Sequence, residues 1–175
     1  MNRFALLLSV SLILVITCVL YAGCAGKDDQ ESLGCPFTEL GWDATVDDMT
    51  TLEGSDYATY DSVYDGTTYT YSKSYLDTDG TIKYMFDDKD KLMCVAWNAG
   101  IDSENTLKSL YTKIHDQIVE KHGKSGHDAE NATNYGDVWY LDSGDIVLSA
   151  VTTSDPMGLQ YSYLNPQVSN TESKK

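Results

Sequence analysis

Hydrophobic residues fall into three patterns along this chain. Residues 4–19 form a nearly unbroken apolar run. Two later stretches carry apolar residues at helical spacing, and several more alternate apolar with polar. The first helical stripe is narrow: Val46, Met49 and Leu52. Thr45 is placed to cap it, Asp48 follows three residues on in a capping-box arrangement, and Gly54 suits a left-handed exit. Trp42 is expected to pack back on this turn. The second stripe, Leu107, Leu110, Tyr111, Ile114 and Ile118, predicts a helix that starts at Asp102 or Ser103 and ends at His122-Gly123. Its apolar sector is about a hundred degrees wide, as for a helix laid on a sheet.

Between these helices, residues 57–64, 67–76, 82–86 and 91–97 read as strands of an antiparallel meander. Tyr69, Tyr71 and Tyr75 share one face of the second strand, and Ile82, Tyr84 and Phe86 alternate on one face of the third. Turns fall at Asp65-Gly66, at Asp79-Gly80 and at the charged residues 87–90. Asp79-Gly80 reads as a two-residue hairpin, since both residues tolerate positive φ. After the second helix comes a loop over residues 124–134. Strands follow over 138–141, 146–151 and 159–164, and Asn165-Pro166 stops them.

Tyr75-Leu76-Asp77-Thr78-Asp79-Gly80-Thr81-Ile82 echoes Tyr140-Leu141-Asp142-Ser143-Gly144-Asp145-Ile146. Each follows a helix-ending glycine, Gly54 or Gly123, at a comparable distance. Chance similarity between two hairpins explains the echo equally well. The expected fold class is therefore α+β: a helix plus an antiparallel meander, present once or repeated twice, with the helices packed on one face of the sheet.

The opening apolar run gains meaning from its flanks. Met1-Asn2-Arg3 precedes it, and small residues lead to Cys24, the layout of a secretory signal. Leu20-Tyr21-Ala22-Gly23-Cys24 resembles the bacterial lipobox, with Tyr21 where leucine is common. The resemblance implies a signal peptide over 1–23, cleaved before Cys24. The Cys24 sulfur would carry diacylglycerol, and the freed amino group a further acyl chain such as palmitate. At about 0.8 kcal/mol per buried CH₂, two or three chains hold a protein firmly at a membrane. The alternative is an uncleaved anchor, since residues 4–22 could just span a bilayer. On the lipoprotein reading, 24–36 form the lipidated cysteine and a flexible tether, 37–166 a single α+β domain, and 167–175 a disordered tail. The address is the bacterial cell membrane or envelope, lipid-anchored on the extracytoplasmic side.

Charge narrows the choice of partner. The 27 acidic residues outnumber the 12 basic ones for a net charge of −15, and the one arginine falls in the signal. Such a chain repels phosphate backbones, which argues against nucleic acid. Cleavage removes Cys18 and lipidation occupies Cys24, leaving Cys35 and Cys94. An exported pair can form a disulfide, worth about 4 kcal/mol in the chain-entropy model. Alternatively Cys94, lying in an apolar strand pattern, is a plain buried thiol.

Catalytic and metal signals are weak. No Gly-x-Ser-x-Gly occurs, and neither cysteine has a histidine nearby in sequence. His115 and His122 sit about 10 Å apart along the helix, too far for one ion. His122, His127 and Asp128 could surround a metal if the intervening link folds back, or be a helix end and a solvated loop. Asp77, Asp79, Asp87, Asp88 and Asp90 crowd two turns and are calcium candidates, without a full EF-hand loop. Aspartate is also simply a good turn residue. No cofactor is expected.

Of the 13 tyrosines, all but Tyr21 lie beyond the signal. Tyrosine offers a flat apolar body with a polar tip, useful for docking, and is equally a favoured strand residue. If the sheet is a docking face, the candidates are Tyr57, Tyr60, Tyr69, Tyr71, Tyr75 and Tyr84. Trp97 and Trp139, in apolar contexts, are expected in the core.

Gly41-Trp42-Asp43-Ala44-Thr45-Val46-Asp47-Asp48-Met49 with Glu53-Gly54, and Tyr84-Met85-Phe86-Asp87-Asp88 with Lys91-Leu92, carry a resemblance. They resemble small exported proteins with the fold of the beta-lactamase inhibitor protein and the outer-membrane assembly lipoprotein BamE. The likeness is closer still to lipoproteins of clostridia-type bacteria that contain such a module, and covers roughly residues 37–166. It implies a noncatalytic binding or assembly module with no active site to carry over. The expected function is thus a membrane-anchored envelope lipoprotein, not an enzyme, that binds an envelope protein in an assembly or inhibitor-like role. The alternative is a glycan or cell-wall module working through surface tyrosines. An enzyme with a non-sequential site stands third.

Overall fold

Residues 33–130 and 134–168 are described by the computed structural model, apart from the side chains of His127, Ala129 and Glu130. The signal segment, Cys24, the tether as far as residue 32 and residues 169–175 of the expected tail lie outside the described residues. The elements in chain order are α1 (Val46–Glu53), β1 (Ala58–Asp61), β2 (Asp65–Ser72), β3 (Thr81–Asp87) and β4 (Leu92–Ile101). Then come α2 (Glu104–His122), β5 (His127–Glu130), β6 (Asn134–Trp139), β7 (Asp145–Val151) and β8 (Met157–Leu164).

All eight described strands join in one antiparallel sheet of order β1-β2-β3-β4-β8-β7-β6-β5. This corrects the expected α+β class. The fold is largely β, with about twice as many described residues in strands as in helices. Its physical basis is the seam between β4 and β8, which pairs Cys94 with Leu164 through to Ile101 with Met157. That seam fuses what the sequence reads as a helix-and-meander unit, present once or repeated, into one continuous sheet. The first helix has only two turns and is an accessory to it.

Alternation decides which side chains enter the core. Ile82, Tyr84 and Phe86 of β3, Val95, Trp97 and Ala99 of β4, and Ile146, Leu148 and Ala150 of β7 are buried on one face of the sheet. Met49 of α1 and Leu107, Leu110, Ile114 and Ile118 of α2 are buried in the same cluster. The capping box at α1 forms as expected: Asp48 N donates to Thr45 Oγ1 at 3.2 Å and Thr45 N to Asp48 Oδ2 at 2.9 Å. Leu52, expected in the apolar stripe, is exposed instead.

Three expectations about connections change. Residues 33–36, assigned to the tether, bring Leu33 and Cys35 into the core beside Phe37. Phe37 stacks edge-on against Tyr75, Tyr161 and Tyr163, so apolar contact fixes this stretch. The hairpin between β2 and β3 turns not at Asp79-Gly80 but at Leu76 and Asp77, whose φ values are 50° and 61°. Tyr75 and Thr78 exchange backbone hydrogen bonds of 2.9 and 3.0 Å across it. Gly80 serves close approach, since a Cβ there would lie 2.8 Å from the Trp97 ring. Finally, β5 occupies part of the expected loop; His-Asp-Ala-Glu has no apolar alternation to announce an edge strand.

Candidate functional site

The six tyrosine candidates do not form one exposed face. Tyr71 and Tyr84 are buried, because their strand face is the one the helices cover. Their hydroxyls are satisfied inside: Tyr71 donates to the Gly54 carbonyl at 3.1 Å and Tyr84 to Glu53 Oε1 at 2.7 Å. Burial pushes the Tyr71 hydroxyl up to about 12 and raises that of Tyr84 further. Tyr69 and Tyr75 are half-buried against the same core, Tyr69 edge-on to Phe86 and Tyr75 edge-on to Trp97. Tyr57 and Tyr60 remain exposed, and they point to opposite sides. Tyr57 packs on Tyr69 and Tyr71 at the helix-covered face, while Tyr60 holds Lys83 over its ring on the other face.

The cysteine pair is not a disulfide. Both thiols are free and buried. Cys35 belongs to the core on the helix side, whereas Cys94 alternates with Val95 and faces the other side, so the sheet separates them. Burial pushes the Cys94 thiol up to about 12, partly offset by Lys83 and a hydrogen bond from Tyr64.

The aspartates do turn work. Asp87 Oδ1 accepts from the backbone N–H groups of Lys89 and Lys91, each at 2.9 Å, and Asp79 Oδ1 accepts from the Ser74 hydroxyl at 2.7 Å. Asp77 and Asp90 occupy left-handed positions, and Asp88 is exposed beside them. Among the described residues, no three His, Cys, Asp or Glu side chains are grouped to hold a metal ion. His127's side chain, part of the other metal candidate, lies outside the described residues.

Beneath α2, Tyr111 donates to Asp137 Oδ2 at 2.7 Å, and His115 Nε2 lies 3.8 Å from the same oxygen. They line a cavity of about 160 Å³ with Thr112, Asp128 and Tyr135. Its chemistry is that of a clasp, with a phenol engaging the carboxylate and the His115 ring lying against Trp139.

The surface with the clearest interaction character is the face of the sheet opposite the helices. Register places Thr70, Lys83, Ala96, Ser162 and Val147 in one row across it. A second row runs through Thr81, Asn98, Gln160 and Ser149, and a third through Thr68, Met85, Cys94 and Leu164. Among the described residues, Lys83 is the charged side chain within this grid, while Asp87 and Asp145 stand at its end. The centre is built from small residues, Ala96 and Ser162 being buried between their neighbours. Sequence reasoning missed this face by following the tyrosines. Its signal was present as the complement of Ile82, Tyr84 and Phe86: the residues between them point outward.

Comparison with protein-family models, curated proteins and solved structures finds no match to this chain.

Proposed function

We propose that this protein is a membrane-anchored envelope lipoprotein whose folded part binds another protein, without catalysis, through the open face of its sheet. The observation that supports this reading is that, among the described residues, the interior of that face carries one charged side chain, Lys83, on a chain of net charge −15. Interface centres are depleted of charge, while acids spread over turns and helices keep the remaining surface soluble. Half-buried Met85 and Leu164 add apolar area beside the hydrogen-bonding side chains of Asn98 and Gln160. The inhibitor- or assembly-type role implied by the likeness to the beta-lactamase inhibitor protein and BamE belongs to the same proposal. So does lipid attachment at Cys24. Among the described residues no helix is long and apolar enough to cross a membrane. The glycan alternative loses ground, since its tyrosines are buried or split between two faces.

The test is site-specific photocrosslinking in intact cells, with the crosslinker placed at Met85 or Gln160 on the open face and at Lys113 on α2. The expected result is one protein captured from both open-face positions and not from Lys113. Capture from Lys113 alone, or of polysaccharide alone, overturns the reading. In the same cells, Cys24→Ser should release the protein from the membrane fraction.

A further inference from the structure

A different part of the molecule carries a second binding surface. β1 is one of the two outer strands of the sheet, and all four of its residues are exposed. Ser62 N donates to the Gly66 carbonyl at 2.8 Å, which fixes the ladder parity between β1 and β2. Tyr60 and Ala58 therefore direct their backbone groups toward β2, and Thr59 and Asp61 direct theirs outward. An outward-facing row of N–H and C=O groups is a template for another strand.

Side chains around this row give it a chemical preference. Three of the large hydrophobic residues most open to solvent gather here: Tyr57 is 40% exposed, Tyr60 48% and Val63 82%. Residues 54–72 contain Asp56, Asp61 and Asp65 and no lysine or arginine. Alternation puts Asp61 and Thr59 on the helix side of the edge and Tyr60 on the open side. Tyr60 already holds an ammonium, with Lys83 Nζ 5.8 Å from its ring centroid.

We infer that β1 is a docking edge for an extended basic segment of a partner protein, which adds to the sheet as a ninth strand. On the helix side of such a strand, a lysine or arginine set opposite Asp61 meets its carboxylate, and the next side chain on that side lies by Thr59, toward Tyr57. The intervening apolar ones lie against Ala58 and Tyr60. Main-chain hydrogen bonds supply affinity, and alternate side chains supply choice. A second copy of this chain is a poor occupant, because it would crowd a second set of Asp56, Asp61 and Asp65 onto the same edge with no lysine or arginine in that stretch to offset them. The strand edge borders the open face at Tyr60, but its pairing rests on the backbone of β1 and on Asp61, and stands whether or not that face binds.

The test uses the full-length protein in detergent and acetyl-(Lys-Val)₃-amide as probe, with the (Glu-Val)₃ peptide as control. Hydrogen exchange is read at individual amides. Lys-Val peptide should slow exchange at Thr59 and Asp61 at least tenfold, and Glu-Val peptide should not. Thr59→Pro removes one outward donor while leaving the inward ladder whole, as edge positions allow; it should abolish the protection. Asp56→Lys with Asp61→Lys keeps the backbone and should weaken the Lys-Val peptide at least tenfold. Equal protection by both peptides, protection elsewhere, or binding unchanged in the charge-reversed variant overturns the inference. So does concentration-dependent dimerisation that protects the same amides without peptide.

Discussion

Tyr84 donates its hydroxyl hydrogen to Glu53 Oε1 over 2.7 Å, and Lys73 Nζ reaches the same oxygen at 2.9 Å. The Tyr84 and Thr38 hydroxyls lie 2.9 Å apart. One carboxylate at the end of α1 thereby ties the helix to β3, to the loop after β2 and to the stretch before the helix. Glu53 is nearly buried, so losing a partner leaves part of a charge poorly solvated. Tyr84→Phe should destabilise by about 1–2 kcal/mol. Glu53→Ala should cost about 2 kcal/mol, since it leaves the Tyr84 phenol with Thr38 alone and the Lys73 ammonium with solvent. Urea midpoints at unchanged slope measure both; a Tyr84→Phe midpoint equal to wild type would show that the carboxylate does not organise this corner.

Stability should fall in alkali. Tyr64 and Tyr71 are pushed up to about 12 by burial, and Cys94 likewise. Tyr84, Tyr161 and Tyr163 are raised by burial as well. Their ordinary values are 9.0 for the thiol and 10.0 for the phenols. In each case the folded state keeps a proton that the unfolded chain releases first. The stabilisation is complete below the unfolded value and is lost as pH rises toward the folded one. Unfolding free energy should therefore change little on account of these groups up to pH 9 and drop above it, most steeply beyond pH 10. Denaturant titrations from pH 7 to 11 measure this, and a flat profile to pH 11 contradicts the burial of these hydroxyls.

Cys35 and Cys94 should stay reduced and unreactive in the folded protein. Both are buried, and the sheet lies between them. Native-state alkylation followed by peptide mapping should leave both unmodified, and alkylation in denaturant should modify both. A mapped Cys35–Cys94 crosslink would contradict their placement on opposite faces.

Two turn glycines should differ sharply. Gly123, at φ 80°, has open space where a Cβ would go, while Gly144, at φ 123°, would drive one into the Leu164 carbonyl oxygen. Gly123→Ala should cost about 1 kcal/mol for the backbone conformation alone. Gly144→Ala adds a clash with the β8 backbone and should cost about 3 kcal/mol or more. Thermal unfolding of the two variants side by side measures the gap, and equal losses would show that the turn at Gly144 relaxes freely.

What the sequence made legible was local. Thr45 with Asp48 announces α1, and Leu107, Leu110, Ile114 and Ile118 announce α2, because caps and spacing are settled within a few turns. Ile82, Tyr84 and Phe86 gave the buried side of β3 for the same reason. Partner choice between strands is a long-range matter, and no residue near Met93 or Gln160 signals that β4 joins β8. Asp79-Gly80 misled because glycine marks both tight turns and tight contacts; at Gly80 the neighbour is Trp97. Tyrosine misled in the same way. Its ring favours burial and its hydroxyl favours water, and at Tyr71 and Tyr84 interior acceptors satisfied the hydroxyl, so burial won. The open face escaped notice because it is built from alanine, serine and threonine, which carry little signal individually.

β8 comes last in sequence among the described strands, yet it fills the middle of the sheet, between β4 and β7. A polypeptide made from amino to carboxyl end therefore delivers its keystone last. Until Leu164 has arrived, neither half has a closed flank to fold against. A premature stop between α2 and Leu164 would thus abolish the whole molecule rather than trim one end of it.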